Sequence, residues 1–277
     1  MSPDDSYPLA SVPAHHRIKA DGLCWICRSS NADSREHRFK SSDIRRTYGA
    51  GPYSGANGPL RVIDETEFGV QGPKSQQLTF PKSMCKACNN DRTSAADAAY
   101  DAFVSFLESH QNTILTTGEV DLGAMYGLDC QQGSISLTRY FAKHIGCRLV
   151  EAQIAVPESL RRFVNQETDY LAGVQIDLGI RLDIVAFEAH MRVHGDDTAT
   201  FWAGDLVCMY SPSSGQITEI TGHLGYRWLR ATYYVDSSAA PPATLGVTMV
   251  ALGADASVDP SEVTAGCAEC ARSVGEE

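Results

Sequence analysis

Six of the nine cysteines in this sequence occur as pairs with two residues between them. The pairs are Cys24/Cys27, Cys85/Cys88 and Cys267/Cys270, whereas Cys130, Cys147 and Cys208 stand alone. A pair with this spacing bends the chain so that both thiolates face one ion, and two such pairs complete a tetrahedral zinc site. We therefore predict a structural zinc ion bound by Cys24, Cys27, Cys85 and Cys88. Buried thiols in a reduced core would not explain two pairs of identical spacing.

Side chains suited to phosphodiester hydrolysis adjoin these two pairs. Glu36 and His37 follow shortly after Cys27, and Asn89 directly follows Cys88. A neutral imidazole is suited to act as a general base near pH 7. Carboxylate and amide oxygens are the hard ligands that Mg²⁺ and Mn²⁺ prefer. The sequence therefore offers both a base and ligands for a catalytic cation.

An acidic residue and a histidine after one cysteine pair, with asparagine after the second, resembles the pattern of the HNH endonucleases. The resemblance is to their zinc-stapled ββα-metal (treble-clef) form and covers roughly residues 20–110. It implies His37 as general base, with Glu36 and Asn89 as ligands of the catalytic ion. Asn90 is the alternative ligand if the register differs by one. Arg92 occupies a position where the family commonly has a basic residue, and it would contact a phosphate.

The resemblance also implies a substrate and products. The substrate would be DNA, and the products would carry 5′-phosphate and 3′-hydroxyl ends. By analogy, such a fusion suggests a bacterial or phage setting, in defence or restriction. The chain departs from the family pattern because it carries Asn-Asn where many members have His, and because a Gly/Pro-rich insertion precedes the second pair. Asn57, in that insertion, is a weak candidate for the middle asparagine of the signature.

The positions of Glu36 and His37 provide a test of this interpretation. Successive residues of a strand point to opposite faces, so a bulge or turn would be needed for both to reach one phosphate. The alternative function is a catalytically inactive treble-clef zinc module that binds nucleic acid or protein. A second alternative is an interaction protein in which residues 119–277 carry the function.

The elements expected around these residues give an α+β fold. A treble-clef ββα-metal zinc module is followed by an α+β domain with an antiparallel sheet. Apolar spacing predicts helices over about 94–110, 134–150 and 157–163. Alternation and turn signals predict strands over about 60–68, 76–80, 181–190, 201–210, 224–235 and 247–252. The predicted domains are a flexible arm (1–19), the zinc module (20–112), an α+β domain of unassigned role (113–255) and an acidic tail (256–277).

Charge divides the chain unevenly. The net charge is -11, but residues 1–98 carry 13 basic and 11 acidic side chains, whereas residues 99–277 carry 10 and 23. Because DNA affinity rests largely on basic contacts to phosphates, the first third is the expected DNA surface. Its candidate phosphate contacts, if they are not simply solvated, are Arg38, Lys40, Arg45 and Arg46.

The remaining expectations concern location and partners. The N-terminus lacks a basic region followed by an apolar core, and no apolar run reaches the length of a membrane helix. We therefore expect a cytoplasmic protein with no membrane partner. The acidic C-terminal domain is expected to form a homo-oligomer or to bind a protein partner. Cys267 and Cys270 could bind a second metal ion if Cys208 or a histidine joined them. Because two ligands alone make a poor site, an exposed tail or an intermolecular contact is favoured.

Overall fold

The computed structural model describes residues 12–53, 59–63, 66–193, 200–236 and 249–255. The predicted acidic tail with Cys267 and Cys270, most of the predicted N-terminal arm, and Asn57 lie outside these described residues. Within the arm, Ala14–His16 form a single 3-10 turn.

Two extended segments and a helix form the ββα unit predicted near the cysteines. Residues 34–38 run antiparallel to residues 78–84, with bridges between Ser34 and Met84 and between His37 and Thr79. The π-helical turn Ala87–Arg92 follows the second segment and leads into helix α2. The paired region of the two extended segments is short. A few backbone hydrogen bonds join them, such as the 2.8 Å bond from the Phe80 N–H to the Glu36 carbonyl.

An excursion over residues 39–77 separates the two extended segments in the sequence. It contains helix α1 (Ser41–Tyr48), the hairpin strands β1 (Leu60–Ile63) and β2 (Thr66–Gly69), and a 3-10 turn (Gln76–Leu78). The predicted strand over 60–68 is therefore two hairpin strands. The predicted strand over 76–80 is wrong over its first part, because Gln76–Leu78 coil before Thr79 pairs with His37.

Helices pack around one long central helix. Helix α5 (Cys130–Glu151) is buried at every residue from Leu137 to Leu149. A helix enclosed in this way must have neighbours on all sides, and its charged residues must find partners there. The Tyr140 ring stacks on Tyr100 of α2, with the ring centroids 3.8 Å apart. The other helices are α2 (Ser94–Ser109), α3 (Gln111–Thr117), α4 (Leu122–Tyr126) and α6 (Glu158–Val164).

A sheet covers another side of α5. Its order is β10-β4-β8-β7-β5, and β6 also pairs with β7. All pairs are antiparallel except that between β10 and β4, which is parallel. A separate pair joins β3 (Glu119–Asp121) to β9 (Met249–Ala251). The α+β class is confirmed. The sheet strands are β4 (Val174–Arg181), β5 (Phe201–Ala203), β6 (Val207–Tyr210), β7 (Ile217–Tyr226), β8 (Leu229–Asp236) and β10 (Gly253–Asp255).

The predicted strand over 181–190 is wrong, because these residues form helix α7 (Leu182–Val193). The preceding residues 174–181 form the strand instead, with alternating burial at its start. Charged groups fix the helix in place. Arg181 binds the buried Asp183 carboxylate at 2.8 Å, and Arg227 pairs with the buried Glu188 at 3.2 Å. The apolar run in the sequence is compatible with a strand and with a helix, and the long-range ion pair of Glu188 with Arg227 accompanies the helix.

The buried side chains of the cysteine module and of the following region form one continuous core. This cluster includes Cys24, Phe103 of α2, Leu137 of α5 and Leu229 of β8. It continues across residues 112 and 113, where the sequence predicts a domain boundary. Among the described residues, no helix combines the length and the apolar character that crossing a lipid bilayer would demand.

Candidate metal centre and its surroundings

The four cysteines predicted to bind zinc come together in the structure. Their sulfurs all lie within 4.8 Å of one another. The Cys27 and Cys85 sulfurs are 3.9 Å apart, far longer than a disulfide bond. Tetrahedral zinc with Zn–S bonds of about 2.3 Å requires sulfurs about 3.8 Å apart, so the observed spacing fits such an ion. The cluster can therefore hold a metal ion such as zinc.

The surroundings of the sulfurs also suit a bound cation. Burial raises the pKa of the Cys24 thiol. Burial also raises the pKa of Cys27, but hydrogen bonds from the side chain and backbone of Ser29 outweigh it and hold that pKa at about 6. The Cys88 N–H points at the Cys85 sulfur at 3.5 Å. Metal binding stabilises the thiolate form and thus offsets the cost of burying these groups.

Residues from beyond the module brace the first cysteine pair. Trp25, between Cys24 and Cys27, packs so closely on α5 that a Cβ at Gly146 would lie 2.4 Å from its indole ring. The Arg161 guanidinium of α6 donates a 3.0 Å hydrogen bond to the Ile26 carbonyl. The geometry of the pair is therefore set partly by the region after residue 112.

Asn89 joins the helix end of the module to the first extended segment. Its Nδ2 donates to Ser34 Oγ at 3.0 Å and to the Arg35 carbonyl at 3.1 Å. Its Oδ1 is buried and meets no hydrogen-bond partner among the described residues. A buried amide oxygen without a donor is a fitting ligand for a hard cation. Asn90, the alternative, is exposed.

His37 lies on the segment that Asn89 contacts. Proline has no N–H, so the hydrogen bond between the His37 ring and the backbone of Pro73 goes to the carbonyl oxygen. Nε2 is buried and has no partner within the described part of the chain. Burial lowers the pKa of His37 more than the Glu36 carboxylate raises it, so the ring is neutral at pH 7. A neutral imidazole keeps a lone pair on one ring nitrogen, with which it can accept a proton.

Glu36 points toward a group on helix α5 that the sequence analysis missed. Its carboxylate lies 3.1 Å from the Lys143 ammonium, which also binds Asp97 of α2 at 2.8 Å. Lys143 is 1% exposed and Glu36 12%. Burial alone would lower the pKa of Lys143, but Glu36 and Asp97 outweigh it and raise that pKa, so the ammonium remains charged.

Backbone alternation accounts for the different surroundings of Glu36 and His37. Glu36 and Arg38 both meet residues of α5, since Arg38 also binds Glu151 of that helix. His37, between them, meets the Pro73 carbonyl in the excursion. Glu36 and His37 thus face opposite sides of the segment, so this backbone does not meet the condition that both side chains reach one phosphate.

The predicted phosphate contact Arg92 has a protein partner. It ends the π-helical turn, and its guanidinium donates to the Asn165 side chain just beyond α6. The Arg92 carbonyl accepts a hydrogen bond from Gln166. This hydrogen bond uses Nη1 alone, and a guanidinium has five N–H donors, so the contact with Asn165 does not by itself prevent a phosphate contact.

Most of the basic side chains expected to contact DNA form ion pairs with acidic side chains of the protein. Arg38 binds Glu151, Lys40 pairs with Asp101 at 2.9 Å, and Arg46 pairs with the buried Asp43 at 3.0 Å. The fourth of these residues, Arg45, is exposed. It lies near enough to His37 for its charge to lower the pKa of that ring.

The sequence held only faint signals for the residues that were missed. Lys143 sits in a largely apolar stretch of α5 that also holds Arg139 and Arg148, and cations in such a stretch indicate buried partners but not their identity. Asp97, in the first turn of α2, binds Lys143 through its carboxylate, and no local pattern in the sequence indicates this contact.

Comparison with protein-family models, with curated proteins and with solved structures finds no match to this chain.

Proposed function

We propose that this protein is a metal-dependent endonuclease of the HNH type that hydrolyses phosphodiester bonds in DNA. We propose further that it works in the cytoplasm, in bacterial or phage defence or restriction. The substrate, setting and activity follow from the resemblance of residues 20–110 to that family.

One observation carries the proposal. The Asn89 side chain is hydrogen-bonded to the backbone at Arg35, which adjoins Glu36 and His37. The residues given roles by the resemblance, distant in the sequence, thus lie on two neighbouring chain segments, and the segment with Asn89 directly follows Cys88. Two of them present buried atoms without partners in the described chain, Oδ1 of Asn89 and Nε2 of His37.

The chemistry assigns a role to each residue. Cys24, Cys27, Cys85 and Cys88 hold a structural zinc ion. Nε2 of His37 takes a proton from the attacking water, whose oxygen forms a new bond to phosphorus. The bond from phosphorus to the 3′ oxygen breaks, and that oxygen takes a proton from solvent to give the 3′-hydroxyl. Glu36 and Asn89 would hold the divalent ion, Mg²⁺ or Mn²⁺. When bound, such an ion supplies positive charge that offsets charge on the phosphate oxygens.

A specific observation favours the alternative function, a catalytically inactive zinc module that binds nucleic acid or protein. The Glu36 carboxylate already has a cationic partner in Lys143, and His37 Nε2 is shielded from solvent. A module of this kind would keep the four cysteines and need neither residue for hydrolysis.

Plasmid cleavage separates the two functions. Purified, zinc-loaded protein is incubated with supercoiled plasmid and Mn²⁺ or Mg²⁺, beside the variants His37→Ala and His110→Ala. His110 is an exposed histidine that directly follows α2 and stacks on Phe106 of that helix, so it serves as the control for loss of a histidine elsewhere. We expect metal-dependent nicking in the wild type and in His110→Ala. We expect at least a hundredfold loss in His37→Ala, the usual scale for removing a general base.

The outcome is decisive only if both variants retain the zinc content and melting temperature of the wild type. Cleavage that persists in folded His37→Ala would remove His37 from the mechanism. Folded, zinc-loaded wild type that cuts neither plasmid, single strands nor RNA would support the binding module instead.

A further inference from the structure

Lys143 is a buried cation at the centre of a small charged cluster. Its ammonium lies 3.1 Å from Glu36, 2.8 Å from Asp97 and 3.4 Å from Thr93 Oγ1. Thr93 in turn donates to the Asn89 carbonyl at 2.9 Å. The cluster therefore reaches both residues that the proposed function assigns to a divalent ion, although Lys143 lies outside the segment that resembles the nucleases.

The ammonium contacts one oxygen of the Glu36 carboxylate, Oε2. A carboxylate has lone pairs on both oxygens, so Oε1 keeps its capacity to bind a cation. An ion there would lie within about 5–6 Å of the ammonium, as the size of a carboxylate dictates. Even at the dielectric constant of water, a unit and a divalent positive charge at that separation repel by more than thermal energy.

Asp97 is a second anionic partner for the Lys143 ammonium. If Glu36 turned to a divalent ion, Lys143 would keep its bond to Asp97 and its contact with Thr93. An added ion could therefore displace the ammonium from Glu36 without leaving a buried charge unpaired, because Lys143 would remain paired with Asp97.

We propose that Lys143 weakens the binding of divalent ions at Glu36, so that firm ion binding requires the added negative charge of a phosphodiester. Lys143 is thus a positioning residue that links the region after residue 112 to the candidate site. This inference rests on the proposed function, because it takes Glu36 as a ligand of the ion. It adds that the ion and the DNA bind together more strongly than either binds alone.

The test is Mn²⁺ binding to the zinc-loaded, full-length protein, measured by electron paramagnetic resonance of the free ion at pH 8. The variant is Lys143→Gln, which removes the charge and keeps hydrogen-bond donors for Glu36 and Asp97. We expect Mn²⁺ affinity to rise about tenfold or more. A merely structural lesion would lower affinity or leave it unchanged, so the direction of the change is diagnostic.

Three comparisons complete the design. Arg139→Gln removes another buried cation of α5, one paired with Asp169 at 2.7 Å, and should change Mn²⁺ affinity less than about threefold. Glu36→Gln should weaken Mn²⁺ binding. The double variant Glu36→Gln/Lys143→Gln should lack most of the rise in Mn²⁺ affinity expected for Lys143→Gln alone. A short DNA duplex should tighten Mn²⁺ binding more in the wild type than in Lys143→Gln.

The results distinguish this inference from the proposed function. Unchanged or weaker Mn²⁺ binding in folded Lys143→Gln, with weaker binding in Glu36→Gln, overturns the role of Lys143 and leaves Glu36 as a ligand. Mn²⁺ affinity that is the same in Glu36→Gln as in the wild type overturns both the role of Lys143 and the proposed role of Glu36 as a ligand. If the wild type binds no measurable Mn²⁺, the inference stands only if Lys143→Gln brings binding into range.

Discussion

The contact between Trp25 and Gly146 predicts that adding a single methyl group to α5 will disturb the metal centre. A Cβ at position 146 would lie 2.4 Å and 2.5 Å from two carbons of the buried indole ring. Real Cβ atoms do not approach neighbours so closely, so the ring and the cysteine pair around it must move. The perturbation is Gly146→Ala.

Two opposing effects set the size of the change. Replacing a glycine within a helix by alanine stabilises by about 1 kcal/mol when nothing is in the way. Overpacking a buried site costs about 1–3 kcal/mol. We therefore expect Gly146→Ala to lower the free energy of unfolding by about 0–2 kcal/mol. We also expect faster release of zinc, because Trp25 lies between two of its ligands.

Urea unfolding with saturating zinc measures the first quantity, and transfer of zinc to a coloured chelator measures the second. Gly133→Ala is the matched control, since it lies in the same helix and its Cβ would meet the Tyr126 ring at 2.4 Å, away from the cysteines. It should lower stability within the same range and leave the zinc release rate unchanged. If Gly146→Ala instead raised stability by about 1 kcal/mol, the site would be open and the packing argument would fail.

Two further predictions concern metal removal and pH. Stripping zinc with a chelator, or the substitution Cys85→Ser, should lower the melting temperature by more than about 10 °C, because ligand binding contributes to folding. Cys208→Ser lies outside the cluster and should leave the melting temperature unchanged. Equal melting temperatures for Cys85→Ser and Cys208→Ser would exclude a structural ion. Burial raises the pKa of Asp43 to about 6 despite the opposing charge of Arg46, so ionising this carboxyl disfavours the folded state. Wild-type stability should therefore fall by up to about 3 kcal/mol relative to Asp43→Asn between about pH 4 and pH 7, and parallel pH profiles would refute this.

Local signals predicted the metal centre but not its supports. The spacing of Cys24, Cys27, Cys85 and Cys88 predicted the cluster, because the geometry of each pair is local to a few residues. The contact of Lys143 with Glu36 spans more than a hundred residues of chain, and no short pattern specifies it.

The same distinction applies to the fold. Helix α2 was predicted closely, since its apolar residues repeat at helical spacing. Helix α7 was not, because its sequence fits a buried strand as well as a helix, and the ion pair of Glu188 with Arg227 is a tertiary contact. The roles of His37 and Asn89 remain predictions, which the cleavage and ion-binding measurements address.

The central position of α5 has a consequence for synthesis of the protein on the ribosome. The last cysteine of the cluster is residue 88, whereas Lys143 and Gly146 are made more than fifty residues later. A nascent chain therefore holds all four thiolates before the helix that braces Trp25 and neutralises Glu36 exists. Until α5 emerges, Phe103 of α2 lacks its contact with the Phe141 ring. The four cysteines can therefore bind a metal ion before the core is complete, and a chain that stalls in this interval exposes apolar side chains to chaperones and proteases.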